Sequence, residues 1–266
     1  MANSPSNEGK LVLYRGFPPS NKYTWSPFVS KLEFRLRYSH VPYVLEAGST
    51  QVAPRSKIPY ADIGPLTKAN TSEMIGDSTL IINTLVERRL AEDLNAHLSP
   101  EQKLADAGVT ALIEDKLYFV DMAEGWIGPD AYYIMRDHIL ASQPWPLRVV
   151  IGNLIYRSVT STLYGQGTLR FTREEQRKMQ EEIWKTLEDL LAQRRKEAGD
   201  RKGPFWVLGG EKPTEADAIL FGRVNSLLVC ENRPESIRLV RNCKSVMDYA
   251  GRIHDAYFAD FEKWEL

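Results

Sequence analysis

Cysteine is nearly absent from this chain: Cys230 and Cys243 are the only two in 266 residues. That is too few for a disulfide framework, and neither has the companions that zinc-ligand spacing requires. Both thiols are read as apolar filling. The four histidines, His40, His97, His138 and His254, are scattered, and none lies four residues from another, so no metal site is expected. An excess of charge of either sign is missing too, with 34 Lys plus Arg against 35 Asp plus Glu. Nothing stands ready to neutralise a phosphate backbone, which argues against a nucleic-acid partner. Long apolar runs are also lacking. No stretch approaches the ~18 residues of a membrane span, and the polar start from Met1 to Lys10 has no apolar signal core. The expectation is a soluble, cytoplasmic protein with no membrane partner.

What is present divides at about residue 94. The run Leu11-Val12-Leu13-Tyr14 ends before Pro18-Pro19 and reads as a buried strand. Pro27 at a first helical position, with Val29, Leu32 and Leu36 behind it, predicts an amphipathic helix ending near His40. Pro42-Tyr43-Val44-Leu45 is the next strand, so a β-α-β unit with parallel pairing occupies the first 46 residues. A strand from Ile58 to Ile63, a turn from Gly64 to Asn70, a short Glu73-Met74-Ile75 strand and a helix opened by Asp77-Ser78 complete the unit. The order β-α-β-β-β-α in about 90 residues predicts a compact α/β domain.

After residue 94 only helices are expected. Ser99-Pro100-Glu101-Gln102 is a helix start with an N-cap, a proline at the first position and acid or amide in the first turn. Val109, Leu112, Ile113, Leu117 and Val120 keep a helical period behind it. An aromatic-rich stretch from Trp126 to Trp145 is broken by Gly128-Pro129 and by Pro144 and Pro146. Further helices are predicted at Leu147 to Thr160, Arg173 to Lys196, Glu215 to Val229 and about Val246 to Tyr257. Thr214 and Asp217 form a capping pair whose role is folding.

Three short elements carry chemistry. Trp25-Ser26-Pro27-Phe28 lies where a strand passes through a loop into a helix, so unpaired N–H groups and a positive dipole end favour an anion. A thiolate supplied by a ligand would be stabilised there, with the Ser26 hydroxyl donating to sulfur; equally, Ser26 reads as a plain N-cap. Ile58-Pro59 is an X-Pro bond at a strand start: if cis, its backbone is turned outward toward an extended peptide, and if trans, it is an ordinary edge proline. Asp77-Ser78 offers a carboxylate for an ammonium, and a hydroxyl with N–H for a carboxylate, or else simply a helix cap. Lys57 and Arg55 are cations able to hold a second carboxylate at the far end of such a peptide.

Together, Ser26-Pro27-Phe28, Ile58-Pro59-Tyr60 and Asp77-Ser78 stand in the order and spacing of a glutathione transferase N-terminal domain. More closely, 26–33, Lys57-Ile58-Pro59-Tyr60 and Gly76-Asp77-Ser78 resemble the failed-axon-connections and metaxin-like branch of that superfamily. Leu98-Ser99-Pro100-Glu101-Gln102 and 209–218 extend the likeness over nearly the whole chain. The resemblance implies a thioredoxin-like α/β glutathione-binding domain over residues 1–94 and an all-α domain over 95–266 that builds the pocket for a second substrate. It makes Ser26 the group that activates the glutathione sulfur and Pro59 the cis proline. Lys57 and Ile58 become peptide-edge contacts, and Asp77 with Ser78 the γ-glutamyl site. The reaction implied is attack of glutathione thiolate on a small apolar electrophile such as an activated alkene, ending in conjugation or in cis-trans isomerisation. The branch also contains non-catalytic adaptors, and the resemblance is compatible with a homodimer. The sequence departs from redox relatives, which have a cysteine at Ser26, and Val29 stands at the second dithiol position, so disulfide exchange lacks its nucleophile. Tyr14 and Tyr23 are weaker alternatives to Ser26. Tyr118, Met122, Trp126, Tyr132, Tyr133 and Met135 are pocket candidates, each equally readable as core.

Overall fold

The computed structural model describes residues 7–68, 71–128 and 130–265. The polar start 1–6, Ala69 and Asn70 at the end of the turn expected from Gly64 to Asn70, Pro129 and Leu266 lie outside them. The first part consists of β1 (Leu11–Tyr14), α1 (Pro27–Tyr38), β2 (Tyr43–Glu46), β3 (Tyr60–Asp62), β4 (Met74–Gly76) and α2 (Ser78–Glu87). Its strands form one four-stranded sheet in the order β2-β1-β3-β4. β1 pairs parallel to β2 with Leu11 beside Tyr43, and antiparallel to β3 with Leu13 beside Ala61. β4 adds antiparallel to β3, with Ile75 beside Ala61. Central β1 is buried along most of its length, which explains why it is written as an unbroken apolar run instead of an alternating one. Leu32 and Leu36 of α1 and Ile81 and Leu85 of α2 close a core over Leu11, Leu13 and Ile63. β3 is shorter than the stretch expected from Ile58 to Ile63, because Pro59 has no N–H to give the ladder.

The rest of the described chain is helical, with no further strand. α3 (Pro100–Ala111) runs through a single π turn (Leu112–Leu117) into α4 (Tyr118–Ile127), making one long rod. Then follow α5 (Ala131–Ile139), α6 (Trp145–Gln166), α7 (Arg173–Ala198), α8 (Glu215–Leu228), α9 (Pro234–Asn242) and α10 (Lys244–Tyr257). The expected caps are present: Ser99 accepts from the Gln102 N–H while the Gln102 side chain accepts from the Ser99 N–H. α8 is buried from 216 to 228 and forms the axis of the second core, with Trp184, Tyr249, Ile253 and Phe258 around it.

Residues of α1 and α8 join the two parts. The guanidinium Nε of fully buried Arg35 lies 2.9 Å from Glu215 Oε1. Asp217, wholly buried, accepts from the Thr214 N–H at 2.8 Å, the Val207 N–H at 2.8 Å and the Tyr249 hydroxyl at 3.0 Å, which pins the start of α8. Burial nevertheless pushes its carboxyl up to about 6, against the pull of those donors.

Candidate functional site

The start of α1, the chain around Pro59 and the start of α2 meet at one edge of the sheet. The Ile58-Pro59 peptide bond is cis. Pro59 O accepts the Asp77 N–H at 3.2 Å, which brings the β4-α2 junction beside the proline. Gly76 is required there, since a Cβ at that position would come within 2.3 Å of Pro54 O. Asp77 then adopts φ 87°, a left-handed conformation that a non-glycine residue rarely takes. Its side chain caps α2 by accepting from the Thr79 N–H at 3.0 Å. Ser78 is buried in the first turn.

These residues border a cleft of about 440 Å³, lined by Lys57, Ile58, Asp77 and Ser78 on the sheet side. Phe28 of α1 and Glu114, Asp115, Tyr118 and Phe119 of the long rod supply the rest. Four of the residues expected from the sequence thus share one cavity. Ser26 is the N-cap of α1, half-buried, and its hydroxyl makes no capping bond, while its N–H donates to Thr24 Oγ1 at 3.3 Å. It stands two residues before Phe28 but is not among the lining groups. Arg55 lies in the turn Pro54–Ser56 with φ 59° and is likewise outside the lining.

Lys57 sits differently from the expectation that it holds a carboxylate at the end of the cleft away from Asp77. Its ammonium reaches Asp77 Oδ2 at 2.9 Å, so acid and base close on each other at the same end. Burial alone would raise the Asp77 carboxyl, but the Lys57 hydrogen bond and charge, with backbone N–H groups at the start of α2, hold it below its usual value. A ligand ammonium at Asp77 would therefore have to share or displace Lys57.

Behind the cleft a second ion pair ties three elements together. Lys31 of α1 is buried, and its ammonium donates to Glu114 Oε1 at 2.8 Å and to Thr79 Oγ1 at 2.9 Å. Glu114 and Asp115 belong to the π turn, a feature that often marks functional positions. Nothing in the sequence marks either one. Their pattern is that of an ordinary helix, and only the extra residue in the turn aims them at the cleft. Of the pocket candidates, Tyr118 lines the cleft and packs edge-on to Phe28 at 5.1 Å between centroids. Trp126 and Met135 are core, and Tyr132 and Tyr133 pack on each other away from the cleft.

The tyrosine alternatives are engaged elsewhere. Tyr14 stacks on Tyr60 at 4.4 Å, and its hydroxyl is raised, first by burial and then by nearby Asp62. The Tyr23 hydroxyl lies 2.8 Å from His254 Nδ1 inside the helical core, where burial raises it further. Next to Ser26, Trp25 stacks flat on His138 of α5 at 3.6 Å, and burial lowers that imidazole.

Residues 27–131 match the family model for the glutathione S-transferase N-terminal domain. Among solved structures, FzlA from C. crescentus aligns with a TM-score of 0.56 at 13% identity, covering 91% of this chain and 86% of its own. The glutathione transferase GSTFuA3 from Phanerochaete chrysosporium aligns at 0.59 and 13%, covering 97% and 99%. A glutathione transferase family member from Pseudomonas fluorescens pf-5, solved with two glutathione molecules bound, aligns at 0.55 and 14%, covering 95% and 91%. The four-stranded sheet followed by an all-helical part is the glutathione-transferase fold. The family match itself covers residues 27–131, within the first part of the chain and the start of the helical part.

Proposed function

We propose that this protein is a glutathione-dependent enzyme of the cytoplasm in which bound glutathione thiolate attacks a small apolar electrophile, an activated alkene. The observation that carries the reading is the convergence of Lys57, Ile58, Asp77 and Ser78 on one cleft, closed opposite by Phe28, Tyr118 and Phe119. Residues 1–94 hold the peptide and 95–266 supply the aromatic wall. The γ-glutamyl end lies at Asp77 and Ser78, and the cysteine is bonded along Ile58. The sulfur lies at the start of α1, where unpaired N–H groups and the Ser26 hydroxyl stabilise the thiolate. A sulfur–carbon bond forms at the alkene as its π electrons shift to the activating group. Protonation from solvent then gives a conjugate. Alternatively, rotation about the new single bond followed by loss of the thiolate gives the isomerised alkene and returns glutathione.

A second reading is favoured by one specific observation. Both oxygens of Asp77 are engaged, by Lys57 and the Thr79 N–H, as they would be in a binding module with no use for a γ-glutamyl ammonium. That module is a non-catalytic adaptor of the metaxin-like kind. Calorimetric titration of glutathione into wild type, Ser26→Ala and Asp77→Ala, with thiolate absorbance followed in parallel, separates the two. Loss of affinity in Asp77→Ala and of thiolate in Ser26→Ala supports the enzyme. No binding by the wild type supports the adaptor.

A further inference from the structure

α4 separates two hollows. Tyr118 and Phe119 at its start line the cleft already described, whereas Val120, Ala123 and Ile127 line a second cavity of about 350 Å³ on the side of α7 and α9. Ala131 of α5, Leu169 and Pro234 complete the apolar part of its wall. The two hollows have no lining residue in common, so the second is not an extension of the place where an electrophile would meet glutathione.

Most of the buried polar groups in its wall are engaged. Gln180 donates to Asp121 Oδ1 at 2.6 Å and to Ser236 Oγ at 2.9 Å. Gln176 donates to the carbonyl oxygens of Thr168 and Phe171 at 3.1 and 2.9 Å. Glu124 Oε1 accepts the Glu235 N–H at 2.8 Å, and the Ser236 hydroxyl donates to its Oε2. Asn232 is the exception. It lines the cavity with only 2% of its surface exposed, and its Nδ2 donates to Gly125 O at 2.6 Å. A carbonyl can only accept, so the amide nitrogen must face Gly125 and the oxygen is the atom left over. That Oδ1 has no donor among the described residues. A buried acceptor without a donor is costly, and a ligand that supplies one recovers the loss.

Charge in the wall narrows the ligand further. Glu124, next to Gly125, would repel an anion, and the exposed Arg173 and Arg177 on the same cavity would repel a cation. A neutral donor remains. The apolar lining suits an aliphatic body, and the volume lies at the small end for ligand pockets. We propose that this cavity is a second ligand site, taking a small neutral aliphatic molecule with an O–H or N–H donor at its buried end, an alcohol or an amide. Asn232 is its specificity residue, and occupancy does not depend on what the cleft binds.

Titration of the full chain with hexan-1-ol and with its isomer 1-methoxypentane, followed by backbone amide NMR, tests this. The two probes have the same atoms, but the ether has no O–H. Burial of six carbons places the hexan-1-ol dissociation constant at about 1 mM or tighter. Amides at Ala123 and Ile127 should shift, and those at Ile58 and Ser78 should not. Hexan-1-ol should bind at least about fivefold more tightly than the ether, since a site built around a hydrogen bond rejects the analogue that lacks it. Hexanoate should bind more weakly than either. Asn232→Ala, with its fold checked by circular dichroism, should erase the preference for the alcohol. Leu169→Trp fills the cavity from its half-buried side and should abolish binding of both probes, which keeps the test open if Asn232→Ala does not fold. Four results would each overturn the proposal: no binding of hexan-1-ol by the wild type, equal affinity for alcohol and ether, a preference that survives Asn232→Ala, or shifts confined to the cleft.

Discussion

Gly222 of α8 lies directly against the carbonyl of Pro27, the first residue of α1, so that a Cβ at 222 would sit 2.3 Å from that oxygen and 2.9 Å from the Lys31 nitrogen. Two backbones touch here with no side chain between them. The position of the α1 start, and with it Ser26 and Phe28, is thus set by the helical part.

Gly222→Ala should force α1 and α8 apart. Overpacking of this kind destabilises by ~1–3 kcal/mol, readable by urea denaturation. Because the displaced element carries Phe28 and Ser26, ligand affinity at the cleft should fall along with stability. A substitution of similar cost far from the cleft should leave affinity unchanged.

Asp217→Ala removes one carboxylate and leaves the Val207 N–H, the Thr214 N–H and the Thr214 hydroxyl without their buried acceptor, while the Tyr249 hydroxyl keeps the backbone carbonyl of residue 217. With ~1–3 kcal/mol for each orphaned group, the total is large enough that the variant should lose cooperative unfolding at ordinary temperature. Asp217→Asn keeps one acceptor oxygen and should be milder. Calorimetric melting of the two variants checks the order.

Glu33 of α1 is fully buried, and neither carboxyl oxygen has a hydrogen-bond partner. Burial pushes its carboxyl up to about 7, only partly offset by Arg15 and Arg37. A raised acid holds its proton more tightly folded than unfolded, so stability is greatest below the unfolded value near 4.5 and declines as pH rises through 7. With ~1.4 kcal/mol per pKa unit, the decline is on the order of 3 kcal/mol. Glu33→Gln should remove it, being more stable than wild type at pH 8 and similar to it below pH 5. Denaturant midpoints across that range decide; a flat difference would show that Glu33 does not titrate in the window.

Lys57→Gln should raise the Asp77 carboxyl toward the ordinary aspartate range, since the ammonium that holds it down is gone. Carbon-detected NMR titration of the aspartate side chains measures this directly. Thr79→Val, which leaves the capping backbone N–H in place, should shift Asp77 far less.

Much of this arrangement was legible in the residues. Leu11-Val12-Leu13-Tyr14 could be read as a central strand because burial on both faces demands an unbroken apolar run. Asp77-Ser78, Ser99-Gln102 and Thr214-Asp217 were legible as helix starts because capping is local chemistry. The convergence of Lys57, Ile58, Asp77 and Ser78 was readable through the superfamily pattern, but the Lys57 to Asp77 ion pair was not. Two side chains 20 positions apart meet through the turn at Pro54–Ser56, whose path no local signal encodes. α9 is not legible in the sequence because Pro234–Asn242 is short and its apolar positions are few. The roles of Glu114 and Asp115 were hidden for a different reason: apolar spacing across 109–120 fits an α-helix closely enough that one surplus residue leaves no mark.

That surplus residue ties the shape of the cleft to the reading frame of a single helix. The π turn at Leu112–Leu117 holds one residue more than an α turn would, and everything before it in the rod is rotated by about 100° against everything after it. Loss of one codon there would leave both halves of the rod intact while turning Glu114 and Tyr118 out of their present relation. Point substitutions could not readily reproduce such a change. A one-codon insertion or deletion in the middle of a helix is thus a direct mutational route between one cleft geometry and another.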